Sequence, residues 1–549
     1  MIRAICIALL CVLSSQTFAQ QKDTARSVED VLRQGQQEIA RLWPLKQYEQ
    51  ALTVLRDLYN TPDMSKNEFD WPGILYNMAC AHSLLGNPDS ALIYLDKSVS
   101  AGYYDYEHVG VDSDLDLIRN DPRYQTLVAR MKREKEFWDG PALATPYREN
   151  ISDEEKLAGL AKLWMEFKLN FVHFDKVPNL NFDSLYLAYL PKVSETKSTL
   201  EYYRVLCSFC AILKDGHTGV NPPPELYDQV WDIPGVRTQL VEDKVIITRL
   251  LSDTLKKRGV RVGMEVVEID SVPVKEYAER FVIPYLSVST PQGLISQAYT
   301  MYLLDGPRDK PVLLTLRDEK NHLLRVEARR DEESPPLASV EFKMLKGDVA
   351  YVNIRTFGSD SVAAAFDSLF PQIMTAKGLV IDVRKNGGGN SSVGYKILGY
   401  LTDRSFGTLR SEQRVYSSQR RYLAGGIQWD TSTYKSPPNG ARLFTGPVAI
   451  LEGPMTGSAA EDFLVAFDYM KRGVMVGEPS AGSTGQPLSF RLPGNLNARV
   501  CIRHCQYPDG KEYVGVGVHP GILVKPTIED IRDGRDPVLD SAVAYVRRK

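Results

Sequence analysis

Four apolar residues in a row, Val448 to Leu451, precede a glycine-containing turn, after which Ala460, Phe463, Leu464 and Phe467 recur at helical spacing. The pattern predicts a buried strand, a turn and an amphipathic helix, with Ser458 at the junction. From 340 to 549 such alternation continues. Val349–Ile354 and Gly378–Val383 read as buried strands, and the second runs into Asn386-Gly387-Gly388-Gly389-Asn390 and a helix. Alternating strands and helices predict an α/β layer architecture. Residues 230–335 are β-rich instead, with Val245-Ile246-Ile247, the segment Gly259 to Asp270 and Pro311–Leu316 as strands. Two further stretches, 26–135 and 150–225, are helical by period. In the second, Leu200, Tyr203, Leu206, Cys207, Cys210 and Leu213 form one stripe, which ends at Asp215-Gly216-His217-Thr218 with Gly216 as the stop. Pro141 and Pro146 mark a linker between the two helical stretches.

Within 26–135, Tyr48-x-x-Ala51-Leu52-x-x-Leu55 is echoed by Asp89-x-Ala91-Leu92-x-x-Leu95. Small residues alternating with large ones let paired helices approach closely, and the stretch resembles tetratricopeptide repeats. A protein-binding surface and a plain helical appendage fit this pattern equally; His82 reads as core. The glycine-led turn at Gly259 and the strand ending in Ile269-Asp270 resemble a PDZ domain, a module that binds extended peptide at a sheet edge.

Composition narrows the classes. With 43% hydrophobic and 25% charged residues the chain is neither disordered nor fibrous, and a net charge of −3 gives no support for nucleic-acid binding. Residues 1–19 read as a secretory leader: Arg3, an apolar core Ile5–Leu13, and Ala19 before the cut. The expected location is therefore periplasmic or secreted, with no membrane span after cleavage. Cys80, Cys207, Cys210, Cys501 and Cys505 remain in the mature chain, an odd number that suits buried small residues better than a disulfide framework. Cys207-x-x-Cys210 with Cys501-x-x-x-Cys505 could suggest zinc, but the first pair falls on an amphipathic helix and the second on a strand pattern, and His173, His322, His504 and His519 show no metal-ligand spacing, so no metal and no cofactor are expected.

Gly457-Ser458-Ala459-Ala460-Glu461 admits two readings. Ser458-x-x-Glu461 is a capping box, and Ser458 is also placed where free N–H groups at a helix start can hold an oxyanion. Four segments taken in order favour the second reading: Asp215-Gly216-His217-Thr218, Asp382 to Gly389, Gly457 to Glu461, and Val476 to Gly482. With the PDZ-like stretch between the first two, the chain resembles the tail-specific or C-terminal-processing peptidases (serine peptidase family S41), in their tricorn-like branch. The resemblance implies Ser458 as nucleophile, with the N–H of Gly389 or Gly388 and that of Ala459 as oxyanion hole. In the bacterial processing peptidases the base is a lysine about twenty-five residues after the serine; that slot is Ser483 here. The tricorn-like members use a histidine before the PDZ insert, and His217 matches it. They carry a serine just before that histidine, where this chain has Gly216, and an acid at a slot held here by Val514. Glu512, two residues away, is taken as the orienting acid, though a solvated face accounts for it equally.

The expectation is an α/β multidomain protein: a leader at 1–19, a tetratricopeptide-like domain at 26–135, a helical part of the peptidase at 150–225, a PDZ-like domain at 230–335 and a catalytic core at 340–549. By resemblance, the core is a ββα-spiral of the crotonase and ClpP kind. The expected activity is serine endopeptidase on peptide or protein substrates through an acyl-enzyme, with Ser458, His217 and Glu512 as catalytic residues. The rival is a non-catalytic scaffold that binds peptides through the PDZ-like and repeat-like modules, the latter contacting a protein partner.

Overall fold

The computed structural model describes residues 28–66, 70–330, 337–440 and 442–548, so the expected leader lies outside the described residues. The chain forms two compact units, 1–140 and 141–549. The first is helical. Val28–Leu42, Tyr48–Asn60, Trp71–Leu84, Pro88–Ser100 and Pro122–Asp139 are its longer helices. Ala51, Leu52, Leu55, Ala91, Leu92 and Leu95 are buried in it, as their helical spacing dictates. His82 is buried and stacks on Tyr94 with ring centroids 5.2 Å apart.

The second unit is built on a six-stranded sheet in the order Ile522–Leu523, Val474–Gly477, Val448–Glu452, Gly378–Asp382, Val349–Ile354, Val340–Leu345. All neighbours are parallel except the last pair. Every residue of Gly378–Asp382 and of Val448–Glu452 is buried, which is why these strands read as unbroken apolar runs. One face packs on Phe366, Ile397, Phe463 and Phe467; the other is covered by Val538, Ala542 and Val546 of the C-terminal helix Pro537–Arg548. The chain is thus an α/β multidomain protein.

The helices Asp153–Asn170, Phe182–Ser194 and Thr199–Ala211 pack against an antiparallel three-stranded sheet of Gly219–Asn221, Leu496–Cys501 and Pro487–Leu492. The first of these helices opens with a capping box: Ser152 Oγ accepts from Glu155 N at 3.3 Å, and Ser152 N donates to Glu155 Oε2 at 2.9 Å. The pairing Gly219↔Arg499 fixes the segment just after His217 against a strand nearly three hundred residues later. A separate sheet, Val236–Val241, Lys244–Leu250, Glu265–Ile269, Val312–Arg317 and Leu323–Ala328, has its own core around Val266, Leu314 and Leu316. Cys80, Cys207, Cys210, Cys501 and Cys505 are buried free thiols.

Candidate active site

The site forms where parallel strands end at their carboxyl edge, the usual place for a crevice in such a sheet. Strand Val448–Glu452 delivers the loop to Ser458, Gly378–Asp382 delivers the glycine turn, and Val474–Gly477 delivers Ser480–Gly485. The first two loops are tied together. Thr456 Oγ1 donates to Val383 O at 2.9 Å, and Gly457 N donates to Asn386 O at 3.1 Å. Arg384 clamps the turn from below, binding both Asp382 and Asp536 with paired contacts between 2.7 and 3.2 Å.

Ser458 has φ 55° and ψ −129°, a backbone state that costs a serine about 1–3 kcal/mol and that cap residues do not normally adopt. It forms a capping box with Glu461 at the start of the helix Ala459–Met470, and its Oγ lies 3.0 Å from His217 Nε2. The other imidazole nitrogen, Nδ1, lies 2.9 Å from Ser483 Oγ. Burial holds His217 well below its ordinary range, with Asp215 pulling the opposite way and Arg499 and His173 adding to the depression. The ring is therefore neutral at physiological pH, the state a general base needs.

In the capping box Glu461 Oε2 accepts from Ser458 N at 3.3 Å. It also accepts from Ser480 Oγ at 2.5 Å, Gly482 N at 2.6 Å and Ser483 N at 2.8 Å, so one buried carboxyl holds the loop that presents Ser483. Asp462 next to it takes Ser391 Oγ at 2.6 Å, Thr484 Oγ1 at 2.9 Å and Tyr513 Oη at 2.9 Å.

Ala459 N is the first free amide of its helix, and among the described residues neither it nor Gly389 N meets an acceptor. Gly388 differs from expectation. Its N–H donates to Asn386 Oδ1 at 2.9 Å and so is already used. What Gly388 supplies is room. Its φ is +107°, and a Cβ there would stand 2.6 Å from Ser458 Cβ and 3.0 Å from Ala459 N.

Glu512 also departs from expectation as the acid facing His217. Its carboxylate accepts from His504 Nε2 at 2.9 Å and Gln506 Nε2 at 2.6 Å, because the bridge Gln506↔Glu512 folds it onto its own hairpin. Burial opposes ionisation there, yet those hydrogen bonds hold it down to about 2. The group that meets His217 Nδ1 is Ser483, in the slot where the processing peptidases carry lysine. A Cβ at residue 216 would lie 2.5 Å from Ser483 Oγ. The hydroxyl thus occupies the space beside the histidine that a side chain at Gly216 would enter. The signal for it was the hydroxyl-rich run Ser480 to Thr484 opposite Glu461-Asp462, which has no period.

The segment 286–293 of the second sheet's domain reaches the same loops. Ser289 Oγ accepts from Gly216 N at 3.1 Å, Thr290 Oγ1 donates to Ala481 O at 2.7 Å, and Gln292 Nε2 donates to Ser480 O at 3.0 Å.

Residues 348–524 match the family model of Peptidase family S41. The chloroplastic C-terminal processing peptidase of Tetradesmus obliquus is 26% identical over 339 residues, covering 59% of this chain and 68% of that protein. The chloroplastic carboxyl-terminal-processing peptidase 2 of Arabidopsis thaliana is 27% identical over 232 residues, 42% of this chain and 40% of that protein. Among solved structures, mature CPAF in complex with lactacystin covers 72% of this chain and 98% of its own at 15% identity, with a TM-score of 0.58, a likeness of fold.

Proposed function

The chain is a serine-type peptidase of family S41, and from that premise we propose a secreted or periplasmic endopeptidase in which Ser458 is the nucleophile and His217 the general base. The observation that carries the proposal is the chain of contacts Ser458 Oγ–His217 Nε2 and His217 Nδ1–Ser483 Oγ. His217 takes the Ser458 proton as Oγ attacks the peptide carbonyl, then gives it to the leaving amine. The oxyanion is held by Ala459 N and Gly389 N, in space that Gly388 leaves open. Water then attacks the acyl-enzyme by the reverse route, with His217 again the base. Ser483 positions the ring: its hydroxyl oxygen accepts from Nδ1–H, which leaves Nε2 free to take the Ser458 proton, and its loop is held by the carboxyl of Glu461.

The fold and the modules extend the same reading. The core is assigned to the ββα-spiral class by resemblance. The domain at 230–335 is read as PDZ-like, presenting or gating peptide, and its bonds from Ser289, Thr290 and Gln292 to the active-site loops support that coupling. The helical unit is read as a repeat-like surface for a protein partner. No observation favours the scaffold reading, since a scaffold has no need of a strained serine facing a neutral imidazole.

Hydrolysis of an unstructured protein substrate tests the assignment. Ser458→Ala and His217→Ala should each lower kcat by about 10³- to 10⁶-fold with the fold intact by circular dichroism. Activity retained within tenfold in His217→Ala would remove the histidine from the mechanism.

A further inference from the structure

His173, Asp215 and Cys501 come from three distant parts of the chain and meet in the interior. They are 2%, 2% and 0% exposed. One ligand atom from each lies within 4.8 Å of the others. Neither ring nitrogen of His173 has a hydrogen-bond partner among the described residues, and neither does Asp215 Oδ1. Burying three such atoms unsatisfied is costly, and a carboxylate oxygen the most so. From this convergence we propose that His173, Asp215 and Cys501 bind a zinc ion.

The donor set selects the metal. An imidazole nitrogen, a carboxylate oxygen and a thiolate sulfur suit Zn²⁺, whereas calcium and magnesium call for oxygen alone. Zinc–ligand distances of about 2.0–2.3 Å place tetrahedral ligands roughly 3.3–3.8 Å apart, so side chains whose ligand atoms lie within 4.8 Å of one another need close in by no more than about 1.5 Å. The Cys501 thiol gives up its proton to solvent as the Zn–S bond forms, and a water completes the tetrahedron. His504 is not a ligand: its ring stands edge-on to His173, and its Nε2 is engaged by Glu512. A second trio of the same kind, Cys80, Asp112 and Asp114, carries no such demand. There Asp112 Oδ2 already accepts from Tyr76 Oη at 2.5 Å, and Asp114 Oδ2 from Trp43 Nε1 at 2.9 Å.

The ion would be a structural clamp on the base. Asp215 lies two residues before His217. Thr218 Oγ1 donates to Asp215 Oδ2 at 2.6 Å and accepts from Cys501 N at 3.0 Å, while Val172 N donates to Cys501 O at 3.3 Å. Zinc would therefore fasten the segment after helix Asp153–Asn170, the His217 loop and strand Leu496–Cys501 at one point. The proposal does not depend on the catalytic assignment, because its readout is metal content.

The full chain, purified under reducing conditions and dialysed after exposure to zinc chloride, should retain about one zinc per chain by plasma mass spectrometry. Cobalt in its place should give a thiolate-to-cobalt charge-transfer band. Cys501→Ser should abolish that band, His173→Ala should weaken zinc binding at least about a hundredfold, and Cys80→Ser should change neither. The wild-type chain suffices to overturn the proposal, even if the variants fold poorly: no retained zinc and no charge-transfer band would do so. Full zinc retention in both Cys501→Ser and His173→Ala would do so as well.

Discussion

Ser458, Gly388, Gly216 and Ser483 make a set in which each residue's identity is set by its neighbour. Gly388→Ala drives a Cβ to within 2.6 Å of Ser458 Cβ at a φ of +107°, so it should cost at least about a hundredfold in kcat and lower the melting temperature. Ser483→Ala removes the hydrogen bond at His217 Nδ1 while leaving the nucleophile and the base in place. It should lower kcat about ten- to a hundredfold with KM nearly unchanged, and steady-state kinetics on one peptide separates the two parameters. Gly216→Ala should copy that effect, because its methyl displaces the Ser483 hydroxyl from the histidine. A wild-type kcat in both variants would deny Ser483 any positioning role. Ser458, His217 and the glycine turn are visible in the sequence because each sits at an element's end, where local pattern marks it. Ser483 was hidden. It meets His217 across 266 residues, and a serine in Gly-Ser-Thr-Gly has no periodicity to announce it. Glu512 differs for the converse reason: it lies two residues from the slot held by Val514, but the local bridge to Gln506 decides where it points.

At the scale of elements, the helix Ala459–Met470 does more than end a strand-turn-helix unit. Its first turn carries Glu461 and Asp462 into the interior, where they hold the 480–485 loop. Burial raises the Glu461 carboxyl to about 7, against the pull of Ser480, Ser483 and Gly482. In the unfolded chain a glutamate titrates near about 4.3. Between those values the native state keeps a proton that the unfolded state releases. The stability linked to this group is thus fully present below about 4.3 and is lost as pH rises through about 7, by at most about 4 kcal/mol. Thermal melts between pH 5 and 8 should therefore show wild type losing stability relative to the non-titrating Glu461→Gln as pH rises. Parallel curves would show that Glu461 does not titrate in this window. The strands of the main sheet were legible because parallel strands buried on both faces are apolar throughout. The pairing of Gly219–Asn221 with Leu496–Cys501, which holds the segment just after His217, was not, since a three-residue strand is too short to leave a pattern.

For the whole molecule, the break at residue 140 separates a helical unit with its own buried leucines from a unit that holds every residue of the site. A chain of residues 141–549 should fold and cleave a short peptide with kcat/KM within about threefold of the full chain. Insolubility, or a loss greater than tenfold, would mean that the helical unit completes the peptidase. Alternation of strand and helix patterns told the architecture of the second unit. It could not tell that helices near its start share a core with strands near its end, because that packing of Phe167 and Phe209 with Leu492 and Val500 joins segments far apart in sequence. The central claim is that the neutral imidazole of His217 activates Ser458. Labelling with a fluorophosphonate, followed by intact mass and peptide mapping, tests it most directly. The expected result is one adduct per chain on Ser458, none in Ser458→Ala, and labelling slowed at least about a thousandfold in His217→Ala. An adduct on another residue, or equal labelling rates with and without His217, would contradict it.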